Sequence, residues 1–234
     1  MAEERSRGLI LRTRPLTETS LIVQWLTPEL GRIATVAKGA RRPKSPFRGK
    51  LDLFYAGEFS FLRSRRSDLH TLREVVLHET HPALRRDMGR LQQACYASTL
   101  IELATEQGTP LEEPHRLLAQ LLHRLNLAPA DAAHLLAFEA RLLAELGFSP
   151  ASGPSPLTPG ARQILGGLLG LDWSSLPVLK PGPGQLVELK QHLASCLLQS
   201  LDRIPRGRAG AFRLGVEEST GRSPESPGGA SSPA

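Results

Sequence analysis

The sequence predicts an α+β chain, in which a five-stranded β-barrel over residues 1–80 precedes an all-helical part over 81–214 and a tail over 215–234. Three observations carry that expectation. Apolar residues alternate with period two through the first 80 positions, in short runs separated by turn residues. After Pro82 they recur every three or four residues instead. Beyond Gly215, "VEESTGRSPESPGGASSPA" holds too little apolar surface to fold and reads as a disordered tail. With 234 residues and 40% hydrophobic content the chain can bury a sizeable core, and at 5% aromatics that core must rest on Leu, Ala, Ile and Val.

The strands follow in order. "RGLILRTR" (7–14) is a short apolar run flanked by charge. "TSLIVQWLT" (19–27) sets Leu21, Val23 and Trp25 on one face and Ile22 and Leu26 on the other. Thr27-Pro28-Glu29-Leu30-Gly31 is a turn signal, so "RIATVAK" (32–38) should return as the hairpin partner. "LDLFYAGEFSFL" (51–62) alternates again, with Gly57 marking a bulge or sharp bend. "LHTLREVVLHET" (69–80) supplies the fifth strand. Five short strands with one long mid-sequence loop suit a Greek-key barrel of the OB type.

The helical stripes are Leu91, Ala94, Ala97, Ile101 and Ala104, then Leu117, Leu121, Leu122 and Leu125, then Leu135, Phe138, Leu142 and Leu146. Pro110, Pro114 and Pro129 punctuate the joins. Thr158-Pro159 reads as an N-cap followed by proline at the first helical position, opening a helix to about Leu171. A last helix runs from about Gln185 to Leu201. Cys95 and Cys196 fall inside these patterns and read as small buried hydrophobes rather than a disulfide. The start, MAEERSRG, carries no apolar signal and no run reaches membrane-spanning length, so a cytoplasmic, nucleoid-associated location is expected.

The charge is unevenly placed. The net +6 resides entirely in residues 1–80, which hold 15 Lys/Arg against 9 Asp/Glu, whereas residues 81–234 hold 14 of each. Within it, Arg32, Lys38, Arg41, Arg42, Lys44, Arg48 and Lys50 follow one another without a single acid, among Gly39, Pro43, Pro46 and Gly49. Solvated faces ordinarily mix signs, so one persistent sign points to a phosphate-bearing partner. Glycine lets backbone approach phosphate, and proline lowers the ordering entropy of the loop. Arg63, Arg65 and Arg66 in the next turn are expected to converge with this loop at the barrel rim. Trp25, Phe47, Phe54 and Tyr55 are the aromatics that could stack bases. Phe54 and Tyr55 have a competing place in the core, and Phe47 has the weakest case for burial.

No catalytic constellation is present. "HETH" (78–81) closes a strand and lacks the helical spacing that puts two histidines on one metal, and "LGGLLG" (165–170) has neither phosphate-loop spacing nor a preceding strand. No serine sits in a strained strand-to-helix elbow. Neither cofactor nor metal is expected.

"GLILRTRPLTETSLIVQWLTPELGRIATVAKGARRPKS" closely resembles the opening of the bacterial RecO recombination mediators. The shared features are the first strand, the Thr17-Glu18-Thr19 loop, the Thr27 to Gly31 turn, and Ala37-Lys38-Gly39-Ala40-Arg41 with Lys44-Ser45. The likeness is specific over residues 8–54. From 82 to about 205 it is one of helical pattern, with "ELGFSP" (145–150) as a local anchor.

The resemblance implies an N-terminal OB barrel with a helical domain behind it. It further implies binding of single-stranded and double-stranded DNA, annealing of complementary strands, and help in loading RecA onto DNA covered by single-strand-binding protein, with RecR as partner. Lys38, Arg41, Arg42 and Lys44 match basic positions of the family motif and become DNA-contact candidates; Arg48 and Lys50 join them on charge alone. Arg85, Arg86, Arg90, Arg116 and Arg124 are candidates for receiving the acidic tail of single-strand-binding protein, against the plainer reading as the solvated sides of helices. Many relatives carry a four-cysteine zinc knuckle after the segment matching "ELGFSP"; "ASGPSPLTPGARQIL" has no cysteine, so that metal site is absent and packing and prolines must hold the loop. Two other readings stand beside this one: an RNA-binding OB module, and a basic scaffold on anionic lipid, the latter without an amphipathic anchor.

Overall fold

Strands form where the period-two runs lie: β1 (Glu3–Pro15), β2 (Leu21–Thr27), β3 (Gly31–Ala37), β4 (Ala56–Leu62) and β5 (Leu69–Glu79). The computed structural model describes residues 3–153 and 156–213, and the tail expected over 215–234 lies outside the described residues. The strands close into a barrel in the order β1-β2-β3-β5-β4. The β3–β5 pair is parallel and all others are antiparallel, which is the OB connectivity. The expected β2–β3 hairpin pairs Leu21 with Ala37 through Thr27 with Gly31. Its turn is held by the Thr27 hydroxyl, which donates to the Gly31 carbonyl at 2.9 Å and accepts from the Leu30 amide at 3.0 Å.

Alternation sorts the side chains into two cores. Ile10, Val23, Trp25, Phe59, Phe61, Leu72 and Val75 fill the barrel. Their neighbours Leu9, Leu11 and Leu26 point outward and join the core of the helices. Gly57 lies where the β4–β5 register shifts, and a side chain there would collide with the Val76 carbonyl, so the expected bulge needs glycine. One boundary differs from expectation. The run 51–62 pairs as β4 only from Ala56, because Phe54 turns into the left-handed region (φ 63°). There its amide donates to the Ile10 carbonyl at 2.8 Å.

The period change after Pro82 produces a 3-10 turn (Pro82–Arg85) and then α1 (Met88–Ala104), α2 (Glu112–Leu127), α3 (Ala132–Glu145), α4 (Pro159–Gly170), α5 (Pro183–Leu201) and the short α6 (Arg208–Ala211). Thr158 caps α4, accepting from the Ala161 amide, with Pro159 opening the helix as expected. Leu135, Leu136, Phe138, Leu142 and Leu143 bury α3 on several sides, and α2, α4 and α5 pack around it. The two cysteines are free, and Cys95 is exposed rather than buried, because it lies off the Ala94, Ala97, Ile101 stripe of α1. Cys196 is half-buried.

The barrel and helices are sewn together at the β2–β3 turn. The Leu111 amide donates to the Pro28 carbonyl at 2.9 Å and the Gly108 amide to the Arg32 carbonyl at 3.2 Å. Gly31, at φ 66°, lies so close to the Thr109 backbone that no side chain would fit. The cysteine-free loop after α3 is tied to α5 by the His192 ring, which donates to the Pro150 carbonyl at 2.8 Å. Among the described residues no group of three His, Cys, Asp or Glu could hold a metal ion, and no helix is long and apolar enough to cross a membrane.

Candidate nucleic-acid interface

The chain leaving β3 does not wander. Successive tight turns fold residues 37–50, with amide-to-carbonyl bonds from Ala40 to Ala37, Arg42 to Gly39, Ser45 to Arg42, Arg48 to Ser45 and Lys50 to Phe47. Gly39 (φ 68°) supplies the left-handed step that a side chain would resist. The loop is docked at three points. Arg41 donates its amide to the Thr19 carbonyl at 3.0 Å, linking the loop to the β1–β2 connection. Lys50 Nζ donates to the Val75 carbonyl at 3.0 Å. Phe47 plugs into the barrel core and is 6% exposed.

Phe47 is therefore the anchor of the loop, not an outward stacking ring as its isolation in a polar stretch suggests. A phenyl ring left in solvent forgoes roughly 1.5–3 kcal/mol of burial, which adds to the turn and docking hydrogen bonds in holding the loop. The other aromatic candidates are also engaged. Trp25 stacks on Phe59 at 4.0 Å between ring centroids and donates its indole N–H to Thr35 Oγ1 at 2.9 Å. Phe54 is buried against the helices, and the half-buried Tyr55 ring lies under the Arg85 guanidinium at 4.6 Å.

With the ring inside, the charges are left outside. Lys38, Arg41, Arg42, Lys44 and Arg48 are all exposed, and none has an acidic partner among the described residues. Two of them reach backbone carbonyls: Arg41 Nη1 donates to Thr17 O at 3.3 Å and Arg48 Nη1 to Pro43 O at 3.4 Å. Such contacts orient a guanidinium without neutralising it.

Two groups of candidates lie elsewhere. Arg32 is half-buried against the α1–α2 connection, where it donates to the Thr105 carbonyl, and burial lowers its pKa despite the nearby Glu102. It belongs to the seam between barrel and helices. Arg63, Arg65 and Arg66 do not converge with the loop either. Because β5 runs parallel to β3, the β4–β5 turn opens toward the start of β3, whereas the basic loop leaves from its end. Strand order, invisible in local pattern, separates them. Arg63 is moreover paired to Glu4 through two bonds of 2.6 and 2.7 Å.

The helical arginines also divide. Arg85 is clasped by Asp52 at 2.9 Å and by the Leu53 and Thr80 carbonyls, and Arg90 donates to the Leu125 carbonyl at 3.1 Å. Arg86 is exposed. Arg116 and Arg124, by contrast, line a cleft of about 840 Å³ beside Arg7, with His123, Leu127 and Trp173. Arg116 pairs with Glu113 there, and Arg124 Nε donates to His134 Nε2 at 2.9 Å. His134 is oriented by Asp131, whose carboxylate lies 2.5 Å from Nδ1. The Asp131–His134–Arg124 set gave no sequence signal beyond the spacing of three between Asp131 and His134.

Residues 1–81 match the family model described as Recombination protein O N terminal, and residues 85–153 match that described as Recombination protein O C terminal. The DNA repair protein RecO of Rhodopirellula baltica is 36% identical over 145 residues, covering 62% of this chain and 54% of that protein. That of Symbiobacterium thermophilum is 35% identical over 145 residues, covering 62% and 56%. The chain thus aligns with about half the length of these two relatives, while the DNA repair protein RecO of Desulforudis audaxviator matches over its full length at 28% identity, covering 94% of this chain. Barrel, helices, loop and both family matches agree, and the chain belongs to the RecO family.

Proposed function

We propose that this chain is a non-catalytic DNA repair and recombination mediator that holds single-stranded and double-stranded DNA on the loop between β3 and β4. One observation carries the reading: five cations, Lys38, Arg41, Arg42, Lys44 and Arg48, stand exposed and, among the described residues, without acidic partners on a loop anchored by the buried Phe47. Contacts of this kind bind phosphate regardless of sequence. Two DNA strands repel each other, and a surface that displaces counterions and screens phosphates reduces that repulsion. Loose contacts then let complementary strands search for register, and base pairing drives annealing. No nucleotide is consumed in such a cycle.

In the same reading the helical part serves the partners. The cleft that holds Arg116, Arg124, Leu127 and Trp173 combines cationic and apolar surface, as an acidic, apolar tail of single-strand-binding protein requires. Arg86 and Arg90 lie outside its lining. RecR is the expected companion, and loading of RecA onto DNA covered by single-strand-binding protein is the expected outcome.

The test is fluorescence anisotropy of a labelled single strand across a salt series. Five phosphate contacts at about −0.7 each give a log–log slope of roughly −3 to −4. Changing Lys38, Arg41, Arg42 and Lys44 to Glu together should collapse both affinity and slope. A flat wild-type slope, or a quadruple variant that binds as wild type does, overturns the reading.

A further inference from the structure

The basic loop encloses a recess that phosphate contacts leave unused. It measures about 400 Å³ and is walled by Leu21, Ala40, Leu51 and the exposed edge of Phe47. Arg41, Arg42 and Arg48, with Pro43 and Gly49, complete its lining. Phe47 belongs to the core cluster of the barrel and Leu21, Ala40 and Leu51 pack against that cluster, so this wall is apolar and held in place. A phosphate entering here would exchange hydration for aliphatic carbon, which is unfavourable. A flat, largely apolar ring with polar edges is the complementary guest. The guanidinium groups of Arg41 and Arg48, steadied by the Thr17 and Pro43 carbonyls, can lie against such a ring or bond its edges.

Resting on the DNA-binding reading above, we infer that this recess takes one unpaired nucleobase from the strand held by the loop. A base in a duplex is stacked and paired and cannot enter, so the recess would make the loop prefer single strands at equal phosphate count. Tight turns hold the loop in place, so the recess exists before the ligand arrives.

The experiment uses the full chain and a short oligo-dA carrying 2-aminopurine at each position in turn. Stacking quenches this probe, and transfer to an aliphatic recess should brighten it several-fold at saturation. An oligomer of the same length made of abasic units keeps every phosphate. It should bind about tenfold more weakly, as expected for one lost base contact, with the salt slope unchanged. Ala40→Leu, which fills the recess without altering charge, should abolish the brightening and bring intact and abasic oligomers to equal affinity. If intact and abasic oligomers bind wild type equally while the slope stays steep, the recess holds no base and the phosphate reading survives alone. If Ala40→Leu leaves the tenfold ratio intact, the bases are held elsewhere and the inference fails. The abasic comparison needs no variant, so it can still overturn the inference if Ala40→Leu does not fold. A flat salt slope would remove the DNA reading itself, and the recess with it.

Discussion

Asp52 and Arg85 are joined across the foot of the basic loop, with the Arg85 Nη2 2.9 Å from Asp52 Oδ2 and its guanidinium 4.6 Å above the Tyr55 ring. Asp52 is the first acid after the run of cations, and Arg85 belongs to the 3-10 turn that opens the helical part. The pair therefore links the end of the loop to the start of the helices. Exposed pairs of this sort contribute about 0.2–1 kcal/mol. Arg85→Ala should lower the urea midpoint slightly and leave binding of an acidic apolar peptide unchanged, since Arg85 lies outside the cleft of Arg116 and Arg124. A marked loss of peptide affinity would return Arg85 to the partner-binding group.

Phe47→Ala removes no charge, yet it should impair DNA binding. The substitution empties a site in the barrel core, and such truncations destabilise by about 3–5 kcal/mol. Without its plug, the loop loses the conformation that gathers its cations. Single-strand affinity should fall while net charge stays constant. Phe47→Leu, which restores most of the apolar volume, should recover both stability and affinity. An Ala variant that binds DNA normally while being destabilised would separate the anchor from the site.

How far the sequence revealed this site follows from the same residue. Period-two alternation is a backbone property, so the division of Val23 and Trp25 onto one face and Leu26 onto the other could be read directly, as could the Thr158 cap. Phe47 sits in irregular chain, where no period tells inside from outside; only the distance from loop to core decides, and that is tertiary. Arg63, Arg65 and Arg66 were misplaced for another reason. Their separation from the loop depends on β5 lying parallel to β3, a pairing between segments more than 30 residues apart. The exposed cations were legible because they must avoid the core whatever its shape. The run itself excludes only acids close in sequence; that no distant acid among the described residues reaches these cations is a tertiary fact, as the pairing of Arg63 with Glu4 shows.

The two basic segments should accordingly behave differently. Changing Arg41 and Arg42 to Gln should lower the magnitude of the salt slope by about 1.4, two phosphates at about 0.7 each. Changing Arg65 and Arg66 to Gln should leave the slope where it was. Anisotropy titrations of the two variants side by side make the comparison, and equal losses would mean that one strand wraps from one end of β3 to the other.

Stability should decline on mild acidification. Burial is the largest influence on His81 and holds its pKa below the ordinary histidine value, against the opposing pull of its bond to the Phe54 carbonyl (2.7 Å) and of Glu79. Burial lowers His70 and His115 in the same way. Unfolded histidines take up protons near pH 6.5, whereas these three do so only at lower pH when folded. Below about pH 6.5 the unfolded chain binds more protons, so stability is full above that pH and falls as pH drops toward the folded values. Urea midpoints should therefore decrease from about pH 7.5 to about pH 5.5. His81 has φ 46°, which asparagine tolerates well, and an asparagine amide can replace the ring N–H. His81→Asn should flatten part of the pH dependence. A midpoint that rises on acidification would contradict the burial of these rings.

A buried two-pronged ion pair holds down α6. Arg208 donates from Nε to Glu139 Oε1 at 2.7 Å and from Nη2 to Oε2 at 2.8 Å, and Nη2 also reaches the Lys190 carbonyl at 3.0 Å. Glu139 has no exposed surface, and Tyr96 adds its hydroxyl to the same Oε1 at 2.5 Å, with burial and the adjacent carboxylate raising the Tyr96 pKa well above its usual range. Removing one partner of a buried pair strands the other, at about 3–5 kcal/mol. Arg208→Ala should thus destabilise strongly. Arg208→Lys should rescue only part of the loss, because an ammonium cannot present the two-pronged fork that both carboxylate oxygens require. Replacing the whole cluster by apolar residues, Glu139→Leu and Arg208→Met with Tyr96→Phe to avoid stranding its hydroxyl, should recover more stability than the lysine does, since neither a buried charge nor an unpaired hydroxyl then remains. If the lysine variant matches wild type in urea unfolding, the fork geometry contributes nothing and simple charge neutralisation accounts for the pair.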